Sequence, residues 1–178
     1  MYARTLKLVA ALPKRRPTTV LPSQLESLFQ RLGAVRGGAE DLEDQIWHLW
    51  MQYPHHRAAR ILDQACTDIA AHRFDIAETR LERLLRSCPD YAEAWNKRAT
   101  LYYLQQRDEE SVRDIHRTLE LEPRHFGALC GLGEILVSEG EYEDALFVFL
   151  AALRLNPHLE GARSVVEQIL AGDADGVH

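Results

Sequence analysis

Glu93, Glu134, His116 and His125 are the side chains suited to general acid–base catalysis, in which a positioned carboxyl or imidazole moves a proton in the transition state. Helical spacing separates them. His116 falls on a different helix of its repeat from the two glutamates, which lie on successive helices, and no nucleophile or orienting partner is fixed beside any of them. An enzyme is not expected. His48, His55 and His56 raise the question of a metal, since histidine is the commonest ligand. His48 shares a helix with two tryptophans, the other two lie in a turn, and no carboxylate stands at ligand spacing, so no metal and no cofactor is expected. Cys66, Cys88 and Cys130 are odd in number, far apart and without CxxC spacing, which implies neither a disulfide framework nor a zinc site. A reducing compartment is the simpler reading.

The elements that must position these side chains repeat at a fixed interval. Pro89, Pro123 and Pro157 are each 34 residues apart, a period in the range of helical repeat arrays, whose units bury their faces only against one another. Between the prolines, Trp95, Arg98, Ala99 and Tyr102 are followed by Ser111, Ile115 and Thr118. The next unit has Leu129, Leu132, Gly133 and Leu136, then Ala145, Phe149 and Ala152. The one before has Ile61, Gln64, Ala65 and Asp68, then Ala77, Leu81 and Leu84. Ala65, Ala99 and Gly133 are small where two helices cross most closely, Ala77, Ser111 and Ala145 are small opposite them, and Leu81, Ile115 and Phe149 fill the space between. Asp68 and Gln64 replace apolar residues, so the first unit is expected to be looser and more solvated there. Asp90 followed by Glu93 has the spacing of a capping box.

This pattern resembles the tetratricopeptide repeat (TPR) family over Ala58 to Pro157, in three consecutive units. EDQIWHLW, EAWNKRATLYYL and LEPRHFGALCGLGEI also look like small TPR proteins of alphaproteobacteria and organelles, a group with no activity to carry over. The resemblance implies an all-α, right-handed α-solenoid of three TPR helix hairpins, at 58–91, 92–125 and 126–159. A degenerate helix pair at 22–57 is expected to cap the array, with a capping helix at 160–171 and a disordered tail at 172–178.

TPR arrays bind peptides or protein surfaces in the concave groove lined by the first helix of each pair, here called the A helix; the second is the B helix. The residues expected to bind a partner there are Asp63, Cys66, Glu93, Asn96, Lys97, Thr100, Tyr103, Cys130 and Glu134. The clamp by which some family members grip the acidic C-termini of chaperones needs Lys, Asn and Arg where this chain has Leu62, Cys66, Lys97, Gly127 and Gly131, so no chaperone carboxylate clamp is expected. The partner is a protein or a peptide, and the role that of an adaptor, scaffold or assembly factor. The alternative is a constitutive structural subunit of a larger complex, attached through the tryptophan helix.

Charge divides the chain. Met1 to Gly37 carries +6 and the remainder −12, and an acidic body is a poor surface for phosphate backbones, so no nucleic acid is expected on the repeats. Residues 1–21 begin with a basic, acid-free stretch whose composition suits either an organellar transit peptide, pointing to a mitochondrion, or a disordered tail. A further expectation is that Met1 to Arg16 lies across the acidic body and covers the groove. Pro22 and Ser23 open a helix carrying Leu25, Leu28, Phe29 and Leu32. The next helix bears Leu42, Ile46, Trp47, Leu49 and Trp50, a stripe broad enough to be buried. No apolar run approaches the roughly 20 residues of a membrane span.

Overall fold

A computed structural model describes residues 2–18, 24–35 and 37–172. Among them are ten α-helices and no strand: α1 Ala3–Ala11, α2 Gln24–Ala34, α3 Glu40–Met51, α4 His56–Ala70, α5 Phe74–Ser87, α6 Ala92–Leu104, α7 Asp108–Leu121, α8 Phe126–Ser138, α9 Tyr142–Leu155 and α10 Glu160–Ala171. Pro22, Ser23 and the tail from Asp173 onward lie outside the described residues. No helix among those described is long and apolar enough to cross a membrane.

The repeats α4–α5, α6–α7 and α8–α9 are helix hairpins stacked side by side into an all-α solenoid. Small residues set the crossing distance. A β-carbon on Gly133 would stand 2.6 Å from the Phe149 ring, and Ser111 donates its hydroxyl to the Ala99 carbonyl at 2.9 Å across the same crossing one unit earlier. The turn inside each hairpin needs one left-handed residue, and His72, Gln106 and Gly140 supply it at φ of +56°, +58° and +77°. Each B helix then ends before a proline, whose ring drives the preceding Cys88, Glu122 and Asn156 out of helical backbone.

The Asp90–Glu93 capping box does not form. α6 starts from Tyr91 without a side-chain cap, Asp90 accepts the Tyr53 hydroxyl at 2.6 Å, and Glu93 turns inward to a stronger partner described below. The first unit is also tighter on the Asp68 side than its composition suggests. Asp68 is buried and paired with Arg73 at 2.7 Å and Arg80 at 2.9 Å, and Arg80 also donates to Gln64 at 3.0 Å.

Two further segments are placed by their apolar faces. α1 lies on the B helices α7 and α9, burying Leu8, Val9 and Leu12 among Val112, Ile115 and Val148, with Thr5 and His116 in a 3.2 Å hydrogen bond. The basic segment therefore occupies the outer side of the array instead of covering the groove or forming a loose tail. Arg4 sits close enough to act on the charge of Glu120, so the charge asymmetry is met on α7. α2 and α3 form a hairpin that folds back onto the concave side, where Leu25, Ile46 and Trp50 share a core with Phe126 at the start of α8. It does not stack in line as a preceding repeat. The apolar stripe of α3 is too broad for a single stacking face, and the start of α8 offers an aromatic seat for the excess.

Candidate functional site

The concave side is lined by α4, α6 and α8, and all nine residues singled out for it are on those helices. They do not share one environment. Asp63, Thr100 and Glu134 are exposed, and Cys66, Lys97, Tyr103 and Cys130 are half-buried. Glu93 and Asn96 are buried, so neither can touch a partner while α3 is in place.

What covers them is a charged node under an aromatic roof. The Glu93 carboxylate lies 2.7 Å from His125 Nε2 and 2.9 Å from Lys97 Nζ, and accepts from Asn96 at 3.4 Å. His125 Nδ1 accepts the backbone N–H of Ala128 at 3.1 Å, capping α8. That bond uses the Nδ1 lone pair, so the ring proton resides on Nε2 and is donated to Glu93. Trp50 lies parallel to the His125 ring, and the Lys97 ammonium stands 5.2 Å from the centre of the Trp47 ring.

α3 reaches this position because of a glycine. A β-carbon on Gly127 would come within 2.4 Å of the Trp47 indole, closer than any packing permits. Helix α2 is fixed by Arg124, which pairs with Glu26 at 2.7 Å and with the buried Glu122 at 2.9 Å, its guanidinium 4.9 Å from the Phe29 ring centre. His158 Nε2 meets the Leu32 carbonyl at 3.3 Å at the far end of the hairpin, and the Tyr91 hydroxyl donates to the Met51 carbonyl where α3 ends. Trp47, Trp50, Arg124 and His125 are therefore structural determinants of the concave face that the groove-facing positions alone did not include, and Gly127, one of those positions, serves as the seat of Trp47. The two tryptophans three apart on α3, and a glycine at the start of a later A helix, were the available signals.

Burial and charge set the protonation of this surface group by group. Burial alone would raise the Glu93 carboxyl, but the His125 hydrogen bond and the Lys97 charge outweigh it and hold the group below the usual carboxylate range. Burial lowers Lys97, and Glu93 more than restores it, leaving the ammonium above its usual value. Burial pushes the Cys130 thiol up to about 12, with Glu134 and Glu43 adding to it, and it raises Cys66 and the Glu134 carboxyl as well. Both thiols are held as weak nucleophiles. Of the four residues with acid–base potential only Glu93 and His125 are brought together, as the buried pair of the node, while Glu134 is exposed on α8 and His116 faces Thr5 and Glu120 on the outer side. Among the described residues no group of three or more His, Cys, Asp or Glu is placed to hold a metal ion.

Residues 62–115 and 126–159 each match a sequence model described as a tetratricopeptide repeat. A TPR repeat-containing protein of Rhizobium etli is similar at 31% identity over 166 residues, covering 90% of this chain and 81% of that protein. Anaphase-promoting complex subunit 7 of Dictyostelium discoideum is similar at 32% identity over 83 residues, 47% of this chain and 14% of that protein.

Proposed function

We propose a function from the premise that the chain belongs to the tetratricopeptide repeat family, which makes it a protein–protein interaction module. Its finer role is that of a non-catalytic adaptor or assembly factor that receives a helix or peptide on the part of the concave face beside α3. The residues that contact the partner are Asp63, Cys66, Thr100, Tyr103, Cys130 and Glu134, with Lys97 at the boundary. Glu93 and Asn96 act from beneath, by fixing Lys97 and His125.

One observation carries this reading: the concave face already accommodates an amphipathic helix, α3, through Trp47 and Trp50. A surface built to receive one such helix has the curvature and mixed polarity for another alongside it. Attachment to a larger assembly through the tryptophan helix is less favoured, because Ile46 and Trp50 are buried inside the chain.

The test is affinity capture with the full chain beside a Thr100→Lys, Tyr103→Ala variant. Partners lost from the variant support the groove. Partners retained at full yield move the docking surface elsewhere and refute this assignment.

A further inference from the structure

Each A helix after the first is covered on its upstream side by the preceding B helix, α5 on α6 and α7 on α8. One position in the 34-residue register records this. Tyr91 and His125 are buried, whereas Arg57, at the equivalent place 34 residues before Tyr91, is exposed. Chain order would place α3 over the first unit, but α3 is seated at the start of α8. The upstream face of α4 and α5 is left as a cleft of about 980 Å³ lined by Arg57, Ala58, Ile61, Ile76, Arg83 and Leu84.

Its chemistry differs from the rest of the acidic body. Ile76 is 49% exposed, where the equivalent places in the later units hold the acids Glu110 and Asp144. The guanidinium groups of Arg57 and Arg83 have no ion pair among the described residues, and Asp75 is the one acid in the lining. The next seam along the array shows what such a face pairs with. There Glu78 of α5 meets Arg107 in the following hairpin turn at 2.9 Å. The equivalent of Arg107 in the first unit is Arg73, whose side chain is 47% exposed although it also holds Asp68.

We infer that this open end is a second docking surface, and that its occupant is an amphipathic helix of a protein partner, stacked where a preceding B helix would lie. The helix fills the floor of Ala58, Ile61, Ile76 and Leu84 with its apolar stripe. Carboxylates on its flanks meet Arg57, Arg73 and Arg83, as Glu78 meets Arg107. The surface is separate from the concave face, so its occupancy neither requires nor excludes a partner there.

The experiment uses the full chain and two fluorescent synthetic helices of 14 residues, the length of α5 and α7. Both carry a leucine stripe; one has glutamates on its flanks and the other lysines. Fluorescence anisotropy is expected to show the glutamate peptide binding about tenfold or more tightly than the lysine peptide. Arg57→Glu with Arg83→Glu should weaken the glutamate peptide about tenfold, the scale of two rim charge pairs. Circular dichroism checks that the double variant stays folded, and Ile76→Asp should weaken binding in the same way. Thr100→Lys, on the concave face, reports whether the peptide docks there instead of at the open end. Equal binding of the two peptides, or a loss with Thr100→Lys in place of the arginine variant, overturns the inference.

Discussion

Trp50 and His125 lie face to face, ring centroids 4.1 Å apart and planes 9° from parallel, and this stack joins the N-terminal hairpin to the third repeat. His125 serves three contacts at once: it caps α8 through Nδ1, holds Glu93 through Nε2 and offers a ring face to Trp50. The indole N–H of Trp50 is buried without an acceptor, so its contribution is packing alone. Trp50→Ala is expected to cost about 3–5 kcal/mol, with faster amide exchange across α2 and α3. Trp50→Phe keeps an aromatic face and removes an unsatisfied donor, so it should cost under about 1.5 kcal/mol. Urea unfolding of the two variants checks the difference.

Glu93 makes stability depend on acid. Its folded pKa lies below the ordinary value of 4.5, so its contribution is fully present above that value and is lost as pH falls through the lower, folded one. Glu93→Gln removes this dependence and leaves Lys97 without its counter-charge. At neutral pH the variant should lose about 3 kcal/mol, the lower end of what breaking a buried pair costs. Unfolding curves for both proteins across the acid range should converge as pH falls.

Gly127→Ala places a methyl group inside the Trp47 indole. The expected cost is about 1–3 kcal/mol. Displacement of α3 would shift tryptophan emission to the red and expose the links flanking α3 to protease, while the helical content of the repeats stays unchanged. Unaltered emission and protease resistance would show that the seat of Trp47 can relax around the added carbon.

The hairpin turns differ in strain. Gln106 occupies the left-handed region that Gly140 adopts freely one unit later. Gln106→Gly should stabilise the chain by about 0.5–1 kcal/mol, the left-handed cost relieved minus the backbone entropy glycine adds. Gly140→Gln should do the reverse. Thermal unfolding of the pair reads both signs.

The interval between the prolines, the small residues at each crossing and the assignment of helices to an array were all legible, because each is enforced by local sterics repeated at 34-residue spacing. Gly133 against Phe149 shows that rule at 2.6 Å. The seat of α3 was not legible. Its broad stripe signals burial but carries no address, and the match between Trp47 and Gly127 joins residues 80 positions apart. The fate of Glu93 was hidden for a related reason. Asp90 and Glu93 satisfy a local capping rule, yet His125 and Lys97 give the carboxylate a buried, charge-assisted alternative that short-range spacing cannot reveal. The same concealment applies to α1, whose composition suited a detached segment until Leu8, Val9 and Leu12 were placed on α7 and α9.

Only Gln52 to His55 separate α3 from the first repeat. A helix held on so short a tether is present at its own docking site at an effective concentration on the order of millimolar or above. A protein that needs the ground under Trp47 must outcompete that standing occupant, and its apparent affinity falls by the fraction of time the seat is vacant. One that lands on Thr100 and Tyr103 meets no such rival. On the proposed reading of the concave face, α3 would act as a selectivity filter, discounting ligands that reach for His125 and passing those that stop short of it.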